Sequence, residues 1–146
     1  MPFEPTQGLL DTNILALRPW IPPNCLPDEM AISAVTVAEL AAGVHLVDGD
    51  DSAASRERAR RVAVLQQTEN EFDALAFDTD AARVFGQMAA ALKAAGRTPR
   101  RRALDLMIAA TAAVNRLPVY TTNPADFVGL DRLVLIVPVP RPTSAP

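Results

Sequence analysis

Gly8-Leu9-Leu10-Asp11-Thr12-Asn13 decides how this chain is read. A short apolar run breaks into three polar residues, the pattern of a buried strand that ends at Asp11. A weak helix follows over Ile14 to Leu17. A loop rich in proline (Pro19, Pro22, Pro23, Pro27) comes next. Met30-Ala31-Ile32-Ser33 reads as a second strand. Thr36 to about Val47 reads as a helix, with Val37, Leu40, Ala41 and Val44 at helical spacing. Asp48-Gly49-Asp50-Asp51 is a turn, and Ser52 caps a helix to about Asn70, which completes an αα-hairpin.

The alternation continues. Leu75-Ala76-Phe77 is a third strand, and Asp78 or Thr79 caps a helix that runs to Ala95 and stops at Gly96. Thr98-Pro99 opens another helix, with Leu104, Ile108 and Thr111 on one face, that ends near Asn115. Pro118 to Thr121 and Leu133 to Val137 are the fourth and fifth strands. The tail from Pro138 to Pro146 carries four prolines and reads as loose. Short strands alternating with helices predict an α/β domain around a mostly parallel sheet of four to five short strands. With 146 residues and no composition break, the chain reads as one domain, residues 1–146, with its core over about 8–137.

Composition narrows the function. The chain is 49% hydrophobic and 21% charged, an ordinary globular mix. Fourteen basic against 17 acidic residues give a net charge of -3 and a pI near 5.1, which disfavours a nucleic-acid binder that works through a global positive coat. One cysteine, Cys25, excludes an internal disulfide framework and fits a reducing, cytoplasmic setting. The N-terminus has no signal-peptide pattern, and no stretch is apolar for long enough to suggest a membrane span. His45, amid Val44, Leu46 and Val47, reads as a structural residue.

Four carboxylates stand out. Asp11 ends the first strand, where it can cap the next helix or face a ligand at the carboxyl edge of a parallel sheet. Glu39 lies three residues after Thr36, the spacing of a capping box. Asp105 lies inside a helix on a stripe with Ile108, Ala109 and Ala112, and its alternative use is an ion pair with Arg101 or Arg102. Asp126 follows the turn signal Asn123-Pro124 past the fourth strand. Together they can reach one sheet edge, where unpaired like charges would raise one another's pKa. An all-oxygen site of this kind suits Mg²⁺ or Mn²⁺ better than Zn²⁺.

Four segments in order carry a resemblance: Leu10-Asp11-Thr12-Asn13, Thr36-Val37-Ala38-Glu39-Leu40-Ala41-Ala42-Gly43, Asp105-Leu106-Met107-Ile108-Ala109-Ala110-Thr111-Ala112, and Thr121-Thr122-Asn123-Pro124-Ala125-Asp126-Phe127. The chain resembles the PIN-domain family, specifically VapC-type toxin ribonucleases, over roughly residues 8 to 137. That resemblance implies a three-layer α/β/α domain and a Mg²⁺ or Mn²⁺ site at Asp11, Glu39, Asp105 and Asp126, with Asn123 sharing or replacing the last. It further implies a homodimer, an RNA substrate and a cognate VapB-type antitoxin.

Hydrolysis by a metal-activated water would leave 5′-phosphate and 3′-hydroxyl ends. Thr12, Thr121 and Asn123 are candidates to orient ligands or waters. Arg100, Arg101 and Arg102, just ahead of Asp105, are candidate phosphate contacts. Arg56, Arg58, Arg60 and Arg61 read first as a solvated helix face. A non-catalytic PIN-like module that binds RNA or protein is the alternative. A phosphohydrolase or a phospho-acceptor receiver ranks last, because the partner acids those sites want near Asp11 are absent: position 13 is Asn, and its neighbours are Leu10 and Thr12.

Overall fold

The computed structural model describes residues 6–143. Four strands, β1 (Gln7–Leu10), β2 (Glu29–Ala31), β3 (Val119–Thr121) and β4 (Ile136–Pro138), form one sheet in the order β2-β1-β3-β4, and every pairing is parallel. The helices are α1 (Thr12–Leu17), α2 (Ala34–His45), α3 (Ser52–Glu71), α4 (Thr79–Ala94) and α5 (Ala103–Val114).

The two-residue period of the central strands builds the layers. Leu9 and Val119 point to one face and are buried against Met88 and Leu92 of α4 and Leu106, Ile108 and Ala109 of α5. Leu10 and Tyr120 point to the other and pack with Ile14 and Leu15 of α1, Val37 and Leu40 of α2, and Val64 of α3. A sheet between two helical layers is the three-layer α/β/α arrangement expected. Because β1 sends the chain to β2 on one side and pairs with β3 on the other, the sheet has its topological switch between β1 and β3. Such a switch opens a crevice at the carboxyl ends of the strands.

Several boundaries differ from the sequence reading. The second strand ends at Ala31, and Ser33 caps α2 by accepting from Val35 N at 3.0 Å, so α2 starts before Thr36. The helix expected to be capped by Ser52 is capped by Asp51, whose carboxylate accepts from Ala54 N at 2.8 Å. The expected strand over 75–77 shrinks to one bridge, in which Leu75 N donates to Ile32 O and Ala34 N donates to Leu75 O.

Pro99–Arg102 forms a 3-10 turn, and α5 proper begins only at Ala103. Leu104, expected on the packed face, is half exposed. The fifth predicted strand is β4, shifted toward the C-terminus. Pro138 therefore belongs to the sheet and Val139 to the core, so the described part of the tail is anchored through Val139, while residues 144–146 lie outside the described residues. His45, expected to be structural, is exposed in the last turn of α2, where a basic residue complements the helix dipole.

Close approach of β1 to β3 fixes one glycine. A Cβ on Gly8 would stand 2.3 Å from Tyr120 Cε1 and 2.5 Å from Cδ1. Gly8→Ala should therefore cost about 1–3 kcal/mol through overpacking. A urea melt should show a lower midpoint, partly restored when Tyr120 is also cut to Leu; an unchanged midpoint would contradict this packing.

A carboxylate site at the sheet edge

Asp11 is the first residue past β1, and its backbone N–H donates to Tyr120 O at 2.9 Å, which extends the β1–β3 ladder to the edge. The residue is only 4% exposed. Thr12 N donates to Oδ1 at 2.8 Å as the α1 cap, and Thr121 Oγ1, at the end of β3, donates to Oδ2 at 2.8 Å. Each oxygen thus has one donor and keeps capacity for another ligand. Burial, the largest influence, pushes the Asp11 carboxyl above the ordinary range; the hydrogen bonds from Thr121 and Thr12 pull against it.

Glu39 is freed for the site by the position of the α2 cap. Since Ser33 caps that helix, Glu39 lies beyond the first turn and takes no part in a capping box. It accepts from Thr12 Oγ1 at 2.8 Å, and Thr12 Oγ1 also lies 2.9 Å from Thr36 Oγ1. One threonine therefore binds Glu39 through its hydroxyl and Asp11 through its amide. Glu39 too is pushed up, by burial first, with the Asp11 charge adding to it.

Asp105 stands in the first turn of α5, where the dipole favours an acid, so it is not the mid-helix anomaly that the sequence suggested. Its carboxyl is pushed up to about 7 by burial first, then by the charges of Asp11, Asp126 and Glu39, against a smaller opposing pull from Arg102. The charges of the other three predicted carboxylates therefore all reach Asp105.

Asp126 reaches the cluster from the 3-10 turn Pro124–Phe127 and accepts from Arg102 Nη1 at 2.5 Å. The same guanidinium nitrogen lies 3.9 Å from Asp105 Oδ2. The predicted Arg102–Asp105 pair therefore exists, but the shorter contact goes to Asp126. Among the described residues, no three acidic, histidine or cysteine side chains converge closely enough to hold an ion as they stand.

Thr121 and Thr12, named from the sequence as orienting candidates, hydrogen-bond the carboxylates of Asp11 and Glu39. The Asn123 side chain makes no hydrogen bond to the cluster among the described residues; its backbone N–H donates to Thr121 Oγ1 at 3.0 Å. Arg100 and Arg101 are exposed on the turn ahead of α5. Arg60 and Arg61 are not simply solvated: both pair with Glu57, at 2.7 and 2.8 Å, and Arg61 also donates to Gly43 O at 2.7 Å, tying α3 to α2. Sequence reasoning gave Thr36 a capping role, whereas its hydroxyl meets that of Thr12, and it missed the contact of Arg102 with Asp126, 24 positions away.

A cleft of about 370 Å³ between α1 and α3, walled by Leu15, Trp20, Val64 and Thr68, lies away from Asp11, Asp105 and Asp126. It gathers no set of interacting acids, so the chemistry is read at the sheet edge.

The fold and this edge define a PIN domain, and the chain belongs to that family: the PIN-domain model matches residues 9–133. The chain is 36% identical over 134 residues to Ribonuclease VapC5 of Mycobacterium tuberculosis, spanning 90% of this chain and 93% of that protein. In structure it resembles a chain of the VapBC-5 toxin–antitoxin complex of M. tuberculosis, with a TM-score of 0.76, 34% identity, and coverage of 92% of this chain and 100% of that one. DNA-bound VapBC of Salmonella typhimurium matches with a TM-score of 0.61 and 27% identity, over 90% of this chain and 96% of that one.

Asp105 gives the site a pH signature. In the unfolded chain its carboxyl ionises near the ordinary 3.8, in the folded chain at about 7. Its favourable contribution is whole below pH 4 and is lost as the pH rises through 7. In buffer with EDTA, the melting temperature should fall between pH 5 and pH 8, by on the order of 3 °C for each kcal/mol lost. Asp105→Asn should flatten that fall; an equal slope in both proteins would contradict the crowding of the four acids.

Proposed function

We propose that this chain is a divalent-metal-dependent endoribonuclease of the VapC type, a toxin neutralised by a cognate VapB-type antitoxin. The observation that carries the reading is the pair of bridges at the β1–β3 crevice: Thr12 links Asp11 to Glu39, and Arg102 links Asp126 to Asp105. Similarity to a protein named as a ribonuclease, and to chains of VapBC toxin–antitoxin complexes, supports the substrate and partner classes.

The donor set suits a hard cation in kind. It is all carboxylate, two of its members are already fixed by threonine donors, and burial first, with neighbouring charges adding to it, raises the proton affinity of Asp11, Glu39 and Asp105. Asp11, Glu39, Asp105 and Asp126 would hold the ion, and oxygen ligands favour Mg²⁺ or Mn²⁺. When bound, such a cation supplies water activation and charge stabilisation for phosphodiester hydrolysis.

The remaining work falls to side chains of this protein. Thr121 and the Thr12 amide hold both Asp11 oxygens in place, and the Thr12 hydroxyl orients Glu39. Arg100 and Arg101, exposed on the turn beside Asp105, meet phosphates flanking the scissile bond. The active form is a homodimer in this reading.

Purified protein with Mn²⁺ should cleave total RNA, excess EDTA should abolish cleavage, and Asp11→Asn should reduce it by about two orders of magnitude. Undiminished cleavage in EDTA, or by the variant, would refute the site. Arg100→Ala with Arg101→Ala should weaken RNA binding and lower the log–log salt slope by about 1.4, two contacts at roughly 0.7 each for single strands. An unchanged slope would remove both arginines from the RNA surface.

A further inference from the structure

The carboxylates fall into two halves that are held differently. Asp11 and Glu39 are fixed by neutral donors from Thr12 and Thr121. Asp126 is held by a cation, the guanidinium of Arg102 at 2.5 Å, and the same nitrogen stands 3.9 Å from Asp105. Arg102 thus spans the two acids of the second half. No third acid closes around either half among the described residues.

A guanidinium between two carboxylates meets the same need as a divalent ion: it places positive charge among crowded negative oxygens. The two compete for the same oxygens. A guanidinium in short, charge-assisted contact draws electron density from the carboxylate and repels a second cation beside it, so a divalent ion binds there less well while it stays.

We propose that Arg102 is the resident counter-cation of this site. It is a positioning residue that occupies Asp126 and stands beside Asp105 until a divalent ion displaces it, and so it sets the concentration of metal that the protein requires. The proposal rests on the metal-dependent reading above and adds a determinant to it.

The side chains suit such an exchange. Arg102 is 37% exposed and both acids are 27% exposed, so the guanidinium can leave into water without crossing the core. Its place on the 3-10 turn Pro99–Arg102, outside the regular ladder of α5, leaves the helix intact when it moves. Arginine fits this role better than lysine, because its planar fork can address two carboxylates at once whereas an ammonium acts as a point charge.

The test is titration of the purified full chain with MnCl₂ in the absence of RNA, followed by calorimetry, for wild type, Arg102→Gln and Arg102→Lys. Removing the competitor should tighten Mn²⁺ binding about fivefold in Arg102→Gln, the fold-change matching a partly exposed ion pair. Arg102→Lys should fall between that variant and wild type. Equal or weaker binding by Arg102→Gln would overturn the proposal.

Melting temperatures supply a second readout. Arg102→Gln should melt below wild type without metal, and the gap should close at saturating Mn²⁺. A gap that persists would assign Arg102 a merely structural role and overturn the proposal. Should Arg102→Gln fail to fold by circular dichroism, the lysine variant decides: tighter binding than wild type supports the exchange, and equal or weaker binding overturns it. Absence of Mn²⁺ binding in all three proteins would overturn the metal reading and this proposal together, whereas equal binding overturns this one alone.

Discussion

Like charges at the carboxyl edge of a parallel sheet are the constraint on which the rest of this structure turns. Asp11, Glu39, Asp105 and Asp126 arrive from four separate elements, and folding brings their charges within reach of one another in a partly dry setting. Burial alone would penalise each of them, and proximity compounds the penalty. The protein tolerates this only because each acid has a donor or a cation beside it: Thr121 and the Thr12 amide for Asp11, the Thr12 hydroxyl for Glu39, and Arg102 for Asp126 and, at longer range, Asp105. A fold selected for stability alone would have no use for such an edge, which is why the fold is read as support for a reaction.

Topology makes the convergence possible. With β1 and β3 adjacent and parallel, the residues that follow both strands face the same crevice, and the Asp11–Thr121 hydrogen bond joins segments 110 positions apart. Leu9 and Val119 on one face, and Leu10 and Tyr120 on the other, fix the height of that edge against both helical layers. Gly8 lets the Tyr120 ring lie against β1, so the packing beneath the site depends on a side chain that is missing.

The strand-and-helix alternation was legible because each apolar run is short and bounded by polar residues. Asp11 could be placed at a strand end for the same reason. Other features depended on tertiary geometry. The Thr36-x-x-Glu39 spacing matches a capping box, yet Ser33 two residues after β2 outcompetes Thr36 as the cap, and Glu39 is released to the site. Asp105 looked out of place within a helix because the chain from Pro99 to Arg102 reads as helical, whereas it forms a tighter turn that makes Asp105 a first-turn residue. Leu75 keeps only one bridge of its expected strand, and Val139 anchors a tail whose prolines suggested looseness. Pairings such as Arg102 with Asp126 leave no trace in local pattern.

Net charge also reads differently once the acids are located. A value of -3 argues against a protein coated in positive charge. It says little about an edge where four acids are grouped, the proposed cation site, with Arg100 and Arg101 exposed beside it. Whether this edge hydrolyses RNA with water as nucleophile is decided by the chemistry of the cut ends. Mapping the termini of RNA fragments produced with Mn²⁺ should give 5′-phosphate and 3′-hydroxyl groups; fragments ending in 2′,3′-cyclic phosphate would show that the ribose hydroxyl attacked instead and would contradict the account.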